Sequence, residues 1–308
     1  MITKPMDVLE QFPIRKSKKQ KQAFRDAVAE YAKVQGYEYR VEKGSMGSQN
    51  VILGDPEKAK YLVTAHYDTP ASLFIPNFIT PCNFLVFLLY QIAIVALFMV
   101  AAFVMGFTFG IITRSPELGG SIAGLVYWGM LIVMMVGPAN KNNANDNTSG
   151  VVSVLEMARS MPENLRNRVC FVLFDLEEAG LVGSSSFRKT HKKTTEHQII
   201  LNLDCVGDGD EILFFPTGKL RKDKDKMVLL SGVKGKWGKK TIDVKCKGFA
   251  FYPSDQSRFP YGVGIAAFRR VKFVGLYCSR IHTYRDTVLE QSNVNLLCAA
   301  IISLIGKK

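Results

Sequence analysis

From Thr69 to Thr113 the chain carries no charged residue, and from Phe84 to Ile112 it is almost wholly apolar. A helix needs about 20 such residues to cross a bilayer, whereas a core helix of this length keeps a polar face. The stretch therefore predicts a transmembrane span. After the link Arg114-Ser115-Pro116-Glu117, a second uncharged run from Gly119 to Gly137 predicts another. It is the weaker signal, because Tyr127 and Trp128 lie mid-run rather than at an interfacial belt. Two spans form a hairpin and return the chain to the side it left. Everything before and after must then share one compartment.

The flanking sequence reads as α/β. Residues from about Ile14 to Gln35 predict a basic amphipathic helix with Phe24, Val28, Tyr31 and Ala32 on one face, stopped by Gly36. Three strand-like runs follow, Tyr37–Val41, Asn50–Gly54 and Tyr61–Ala65, separated by Gly44, Gly47 and an Asp55-Pro56 turn. Beyond the apolar insert, Val151, Val152, Leu155 and Ala158 mark a helix ending before Pro162. Val169–Phe174 and Ile199–Asp204 are continuous apolar runs of the kind buried on both faces of a parallel sheet. Gly180–Arg188 reads as helix or loop, Glu211–Phe215 and Val271–Leu276 as strands, and Val294–Ile305 as a closing helix too short to span. The expected organisation is a first part at 1–80, an inserted hairpin at 81–138 and a second part at 139–308.

Composition narrows the setting. The 308 residues carry a formal charge of +13. No helix-turn-helix, zinc-finger or RNA-binding aromatic signature accompanies it, so a nucleic-acid partner is not expected. Lysines beside a membrane anchor fit attraction to anionic headgroups. Cys82, Cys170, Cys205, Cys246, Cys278 and Cys298 show no Cys-x-x-Cys spacing, which points to buried free thiols in a reducing compartment. Met1–Asp7 lacks a signal-peptide apolar stretch, and the basic stretch Arg15–Lys21 favours the inner leaflet side. The expectation is an integral protein of the cell membrane whose soluble part faces the cytoplasm.

Polar clusters sit where the strand-like runs end: His66-Tyr67-Asp68, Asn145-Asp146-Asn147, Asp175-Leu176-Glu177-Glu178, Asp204 and His282. An open α/β sheet places its ligand site at strand ends, and two histidines with several carboxylates suit hydrolytic zinc. Each residue also has a plain alternative. A Glu-Glu pair is commonly a solvated helix start, Asp146 could cap the helix near Ser149, and a strand-end histidine is often a structural hydrogen-bonder. Joint occurrence favours the metal reading, since buried carboxylates repel without a counter-charge. His191 and His197, in a lysine-rich loop, read as surface residues.

The ordered pieces Ala65-His66-Tyr67-Asp68-Thr69, Ala144–Gly150, Phe174–Ser184, Asn202-Leu203-Asp204 and His282–Thr287 resemble the dizinc aminopeptidase family typified by bacterial leucyl aminopeptidases. The resemblance implies a mixed sheet flanked by helices in three layers, interrupted here by the hairpin. It implies Asp146 as the carboxylate shared by two metals. His66 and Asp204 complete one, Glu178 and His282 the other. Glu177 takes the place of the general base, and Asp68 that of the carboxylate orienting His66. Two Zn2+ are implied, with Co2+ or Mn2+ able to occupy the same shell. The resemblance further implies a cis Asp146–Asn147 peptide.

Ser254-Asp255-Gln256-Ser257-Arg258-Phe259 departs from the family pattern, with Gln256 where histidine is common. The larger departure is the apolar insert between His66 and Asp146. The reading is a membrane-anchored zinc aminopeptidase acting on peptides. Alternatives are a carboxypeptidase, a glutaminyl cyclase-like enzyme, or a non-catalytic membrane adaptor that keeps the fold.

Overall fold

The structure is a computed structural model that describes residues 2–73, 75, 78–245, 248, 250–278 and 280–307. In chain order the strands are β1 (Tyr39–Lys43), β2 (Gln49–Leu53), β3 (Tyr61–His66), β4 (Val169–Phe174), β5 (Ile199–Leu203), β6 (Glu211–Pro216), β7 (Gly235–Trp237), β8 (Lys240–Val244), β9 (Gly262–Val271) and β10 (Gly275–Tyr277). The helices are α1 (Asp7–Gln11), α2 (Lys18–Val34), α3 (Phe84–Thr113), α4 (Pro116–Val136), α5 (Gly150–Ser160), α6 (Val182–Thr190), α7 (Lys192–Thr195), α8 (Gly218–Lys222), α9 (Lys224–Ser231) and α10 (Gln291–Gly306). One mixed sheet runs β1-β2-β4-β3-β5-β9-β6-β8-β7, with β10 beside β9. Because β4 lies between β2 and β3, the parts before and after the insert interleave in one sheet.

β4, β3, β5 and β9 are parallel neighbours at its centre. Their side chains alternate between two buried faces, as a pleated strand requires. Tyr61, Val63, Val169, Phe171 and Leu173 join a core with α5 and α10, through Val151, Leu155, Leu297 and Ile301. Leu62, Cys170, Val172 and Phe174 pack on the other face against Phe187 of α6 and Phe259. The expected α/β mixed sheet with flanking helices is what forms.

α3 and α4 are long and apolar enough to cross a membrane, and the rest of the protein buries none of the most apolar window of α3. Ser115 caps α4 through the Leu118 amide, and Pro116 occupies its first turn. The link between the helices therefore shrinks to Arg114 and Ser115. At this tip the backbones touch: a Cβ on Gly106 would lie 2.5 Å from the Gly119 carbonyl oxygen. At the other end Ala71 and Ala139 form an antiparallel bridge. The Ser72 amide donates to Pro138 O at 2.7 Å, and the Asn140 amide to Pro70 O at 2.9 Å. A two-stranded neck thus closes the insert.

Several expectations change. α2 starts at Lys18 rather than Ile14, because Ser17 and Gln20 form a capping box. The basic stretch ahead of it is partly spent inside: Arg15 is fully buried, donating to Tyr67 O and Thr148 Oγ1, and the Lys21 ammonium lies 2.5 Å from Asp175 Oδ1. Val271–Leu276 is not one strand: β9 ends at Val271, residues 272–274 turn, and β10 begins at Gly275, whose φ is 85°. His191 is buried and bonded to both Glu42 and Glu57, while His197 is exposed. Among the described residues Cys170, Cys205, Cys278 and Cys298 are buried free thiols and Cys82 is exposed; Cys246 lies outside the described residues.

Candidate metal centre

Three adjacent parallel strands end at one edge of the sheet. β3 delivers His66, β5 is followed at once by Asp204, and β4 leads through Asp175 into Glu177 and Glu178. Asp146 comes from the turn before α5 and His282 from the loop after β10. The five converge. His66 Nε2 lies 3.4 Å from Asp146 Oδ1 and 3.7 Å from Asp204 Oδ1. His282 Nε2 lies 3.1 Å from Asp146 Oδ2 and 3.7 Å from Glu178 Oε2. The ligating atoms of His66, Asp146 and Asp204 all fall within 4.8 Å of one another, as do those of Asp146, Glu178 and His282.

Backbone geometry sets these aims. Leu176, Cys205 and His282 take φ of 56°, 57° and 60°, in the left-handed region that costs a side-chain-bearing residue about 1–3 kcal/mol. The Asp146–Asn147 peptide is cis, as the resemblance implies. Asn147 ties the turn down: its Oδ1 accepts from the Gly150 and Cys205 amides and its Nδ2 donates to Leu203 O. That makes Asn147, not Asp146, the side chain serving the start of α5.

Asp68 accepts the Glu177 amide at 3.0 Å on Oδ1 and the Glu178 amide at 3.2 Å on Oδ2, with His66 Nδ1 a longer 3.5 Å away. It holds the glutamate pair by its backbone as well as facing the histidine. Asp286, to which sequence reasoning assigned no role, accepts the Asn145 amide at 2.8 Å and the Asp146 amide at 2.9 Å. Asp255 is fully buried with no hydrogen bond to either carboxylate oxygen. Its motif was singled out only for Gln256, whose amide instead bonds Tyr252 O and Asn202 beneath the site.

Burial dominates the electrostatics. It raises Glu177 well above the usual carboxylate range and Glu178 to about 8. Burial also lifts Asp255 to about 7, and Asp286 to about 7 with the Asp146 carboxylate adding to it. For Asp146 the upward push of burial is outweighed by hydrogen bonds with His282 and His66, which hold it well below its ordinary value. For His282 burial works against the charge, yet Glu178 and Asp146 carry it up to about 9.

Imidazole and carboxylate in this number form the donor set that zinc takes in hydrolytic sites. Asp255, buried beside them, adds to the carboxylates whose burial as anions a cation would offset. The residues present fit a metal. They line a cavity of about 290 Å³ together with Glu177, Cys205, Tyr252, Ile281 and Met135, the last from α4.

Residues 132–301, more than half of the chain, match the model of the family described as Peptidase family M28. The chain belongs to peptidase family M28. The match contains Asp146, Glu177, Glu178, Asp204 and His282; His66 and Asp68 precede it, on the far side of the hairpin. No curated protein matches by sequence. Solved structures of this fold align over nearly the whole chain. The LapA aminopeptidase of Legionella pneumophila shows a TM-score of 0.59 at 14% identity, over 98% of this chain and 70% of its own. A Zn-dependent exopeptidase from Parabacteroides distasonis gives 0.57 at 16%, over 96% and 94%. A glutaminyl cyclase from Porphyromonas gingivalis gives 0.58 at 15%, over 98% and 95%. At such identities the likeness shows the fold: that of zinc-dependent exopeptidases of family M28.

Proposed function

We propose that this protein is a membrane-anchored aminopeptidase working with two zinc ions. One observation carries the reading: the two oxygens of Asp146 face two different imidazoles, at 3.4 Å and 3.1 Å, which divides the donors into two sets around one carboxylate. His66, Asp146 and Asp204 would hold one ion; Asp146, Glu178 and His282 would hold the other. When bound, zinc supplies Lewis acidity toward a carbonyl and makes water a nucleophile near neutral pH.

The protein's own residues do the rest. Glu177, on the cavity wall, takes the proton of the attacking water and returns it to the leaving amine. Asp68 fixes the backbone from which Glu177 and Glu178 diverge, so that base and ligand keep separate directions. Asp286 holds the Asp146 amide and with it the angle of the shared carboxylate. Tyr252 and Ile281 line the same cavity and give it an apolar wall.

The hairpin α3–α4 would anchor the enzyme in the cell membrane with the peptidase part in the cytoplasm. Lys245, Arg270 and Lys272, with the exposed Phe273, surround a recess beside Asn83 at the root of α3, a composition suited to anionic headgroups. Cleavage near Lys222 by protease added to intact cells would end the cytoplasmic assignment.

The likeness to glutaminyl cyclases favours a second reading, amino-terminal cyclisation, which the same cavity and Glu177 would serve. Purified full chain in detergent, given aminoacyl-anilides and glutaminyl peptides with and without chelator, separates them. Release of the free amino-terminal residue and about two zinc per chain are expected. Glu177→Gln should keep its metal and lose about 100-fold or more in turnover. Pyroglutamyl product would shift the reading to the cyclase, and release of carboxy-terminal residues to a carboxypeptidase. A metal-free, inert protein would be the adaptor.

A further inference from the structure

A cavity of about 640 Å³ opens between the roots of α3 and α4 and ends at the candidate metal centre. Its inner end is formed by Glu178 and His282. Gln91, Ile94 and Phe98 wall it on α3, and Val126, Gly129 and Met130 on α4. Both sets recur at steps of three and four, so each helix gives it one face. The space follows from how the hairpin packs. At the tip Gly106 meets Gly119 and Ala123 with no room for a Cβ. Toward the roots the facing side chains leave the cavity between them, and a Cβ on Gly129 would meet nothing within 4 Å. The volume lies within the roughly 300–1,000 Å³ of ligand pockets. Met135 lines both this cavity and the smaller one around the donors, so the two spaces adjoin.

We propose that this cavity binds the apolar stretch of peptide that follows the scissile bond, so that the enzyme acts on amino termini leading directly into a membrane-embedded segment. The proposal rests on the aminopeptidase reading and names its substrate class. Continuity argues for a peptide occupant: Glu178 and His282 belong to both spaces, so a chain held at the metal centre passes on between the helices. Gln91 argues the same way. It puts an amide on an otherwise apolar helical face, and peptide groups entering hydrocarbon need such partners. An amide both donates and accepts, as a peptide backbone requires.

The test compares two peptides with the same first two residues, one continued by polar residues and one by an apolar run, on the full chain in lipid nanodiscs. The wild type should show the higher kcat/KM for the apolar peptide. Gly129→Phe, where a Cβ meets nothing within 4 Å, fills the cavity without moving backbone and should cut that preference by about tenfold. Leu125→Phe, on a 70% exposed position outside the cavity, should leave it intact. An unaltered preference in Gly129→Phe overturns the proposal.

A second readout needs no turnover. A photoreactive leucine in the apolar run should crosslink to residues 91–98 or 126–135, in the wild type and in Glu177→Gln. Crosslinks confined to other surfaces, or capture there of a photoreactive phospholipid that the peptide does not displace, also overturn it. Correct crosslinks with no release of amino-terminal residues would remove the aminopeptidase reading and leave the cavity assignment standing.

Discussion

Asp175 sits two residues ahead of the glutamate pair and is nearly closed off from water. Its carboxylate meets the Lys21 ammonium and accepts the amides of Gln49 and Leu176. Removing it would strand a buried lysine, and breaking such a pair costs about 3–5 kcal/mol. Asp175→Ala should therefore lose stability on that scale in denaturant melts of the detergent-solubilised protein. A loss below about 1 kcal/mol would show that Lys21 finds water instead. Asp286 acts more locally. Asp286→Ala should lower zinc affinity roughly 10–100-fold, read by competition with a chelator, and, by leaving two buried amides without an acceptor, cost about 1–3 kcal/mol in the melt. The difference in legibility between these residues and the five donors is physical. A candidate donor shows itself by residue type and order along the chain, as His66, Asp146, Glu178, Asp204 and His282 do, and the structure brings these five together. Asp286, Asp255 and Asn147 act through backbone amides or bare burial, which no spacing rule encodes.

Strands and helices were legible where side chains announce their burial. Val169–Phe174 is read to the residue, because six apolar positions in a row fit only a strand covered on both faces. β9 escaped notice although it is central. On one face Gly262 and Gly264 carry no side chain, because Gln256 presses there: a Cβ on Gly262 would lie 2.1 Å from the Gln256 carbonyl oxygen and one on Gly264 2.6 Å from its Nε2. Smallness forced by a neighbour carries no β signal. His191 escaped for a related reason, since the loop around it is polar while its own ring packs tilted against Phe187, with centroids 4.3 Å apart.

His191 ties three pieces together, facing Glu42 on β1 and Glu57 in the turn after β2. Burial opposes its charge, but the two hydrogen bonds outweigh burial and raise its pKa above the ordinary imidazole value of about 6.5. The sign follows. The stabilisation is full below about pH 6.5 and fades as pH rises through the folded value. His191→Gln should therefore destabilise the protein more at about pH 6 than at about pH 9 in paired melts. An equal loss at both would mean the ring contributes by packing alone.

At the scale of the whole molecule, the hairpin and the sheet are separable in contacts yet joined in purpose. α3 and α4 pack chiefly on each other, while His66 reaches the later donors through strand pairing that does not involve them. Replacing both helices with a short glycine linker should give a protein that needs no detergent, keeps its metal and cleaves short peptides. Metal content and anilide turnover check this. Failure to bind zinc would show that the helices also hold the site open.

The bridge between Ala71 and Ala139 has a consequence of its own. Residues paired in an antiparallel bridge bring their Cα atoms to about 5 Å, so the neck presents a socket of fixed width to whatever lies between them. Any module whose two ends meet at that spacing can be plugged in without disturbing the register of β3 and β4. The present occupant is greasy. The same doorway would accept a water-loving loop, and an exchange there would remove the cavity between α3 and α4 while leaving the pairing of β3 with its neighbours untouched.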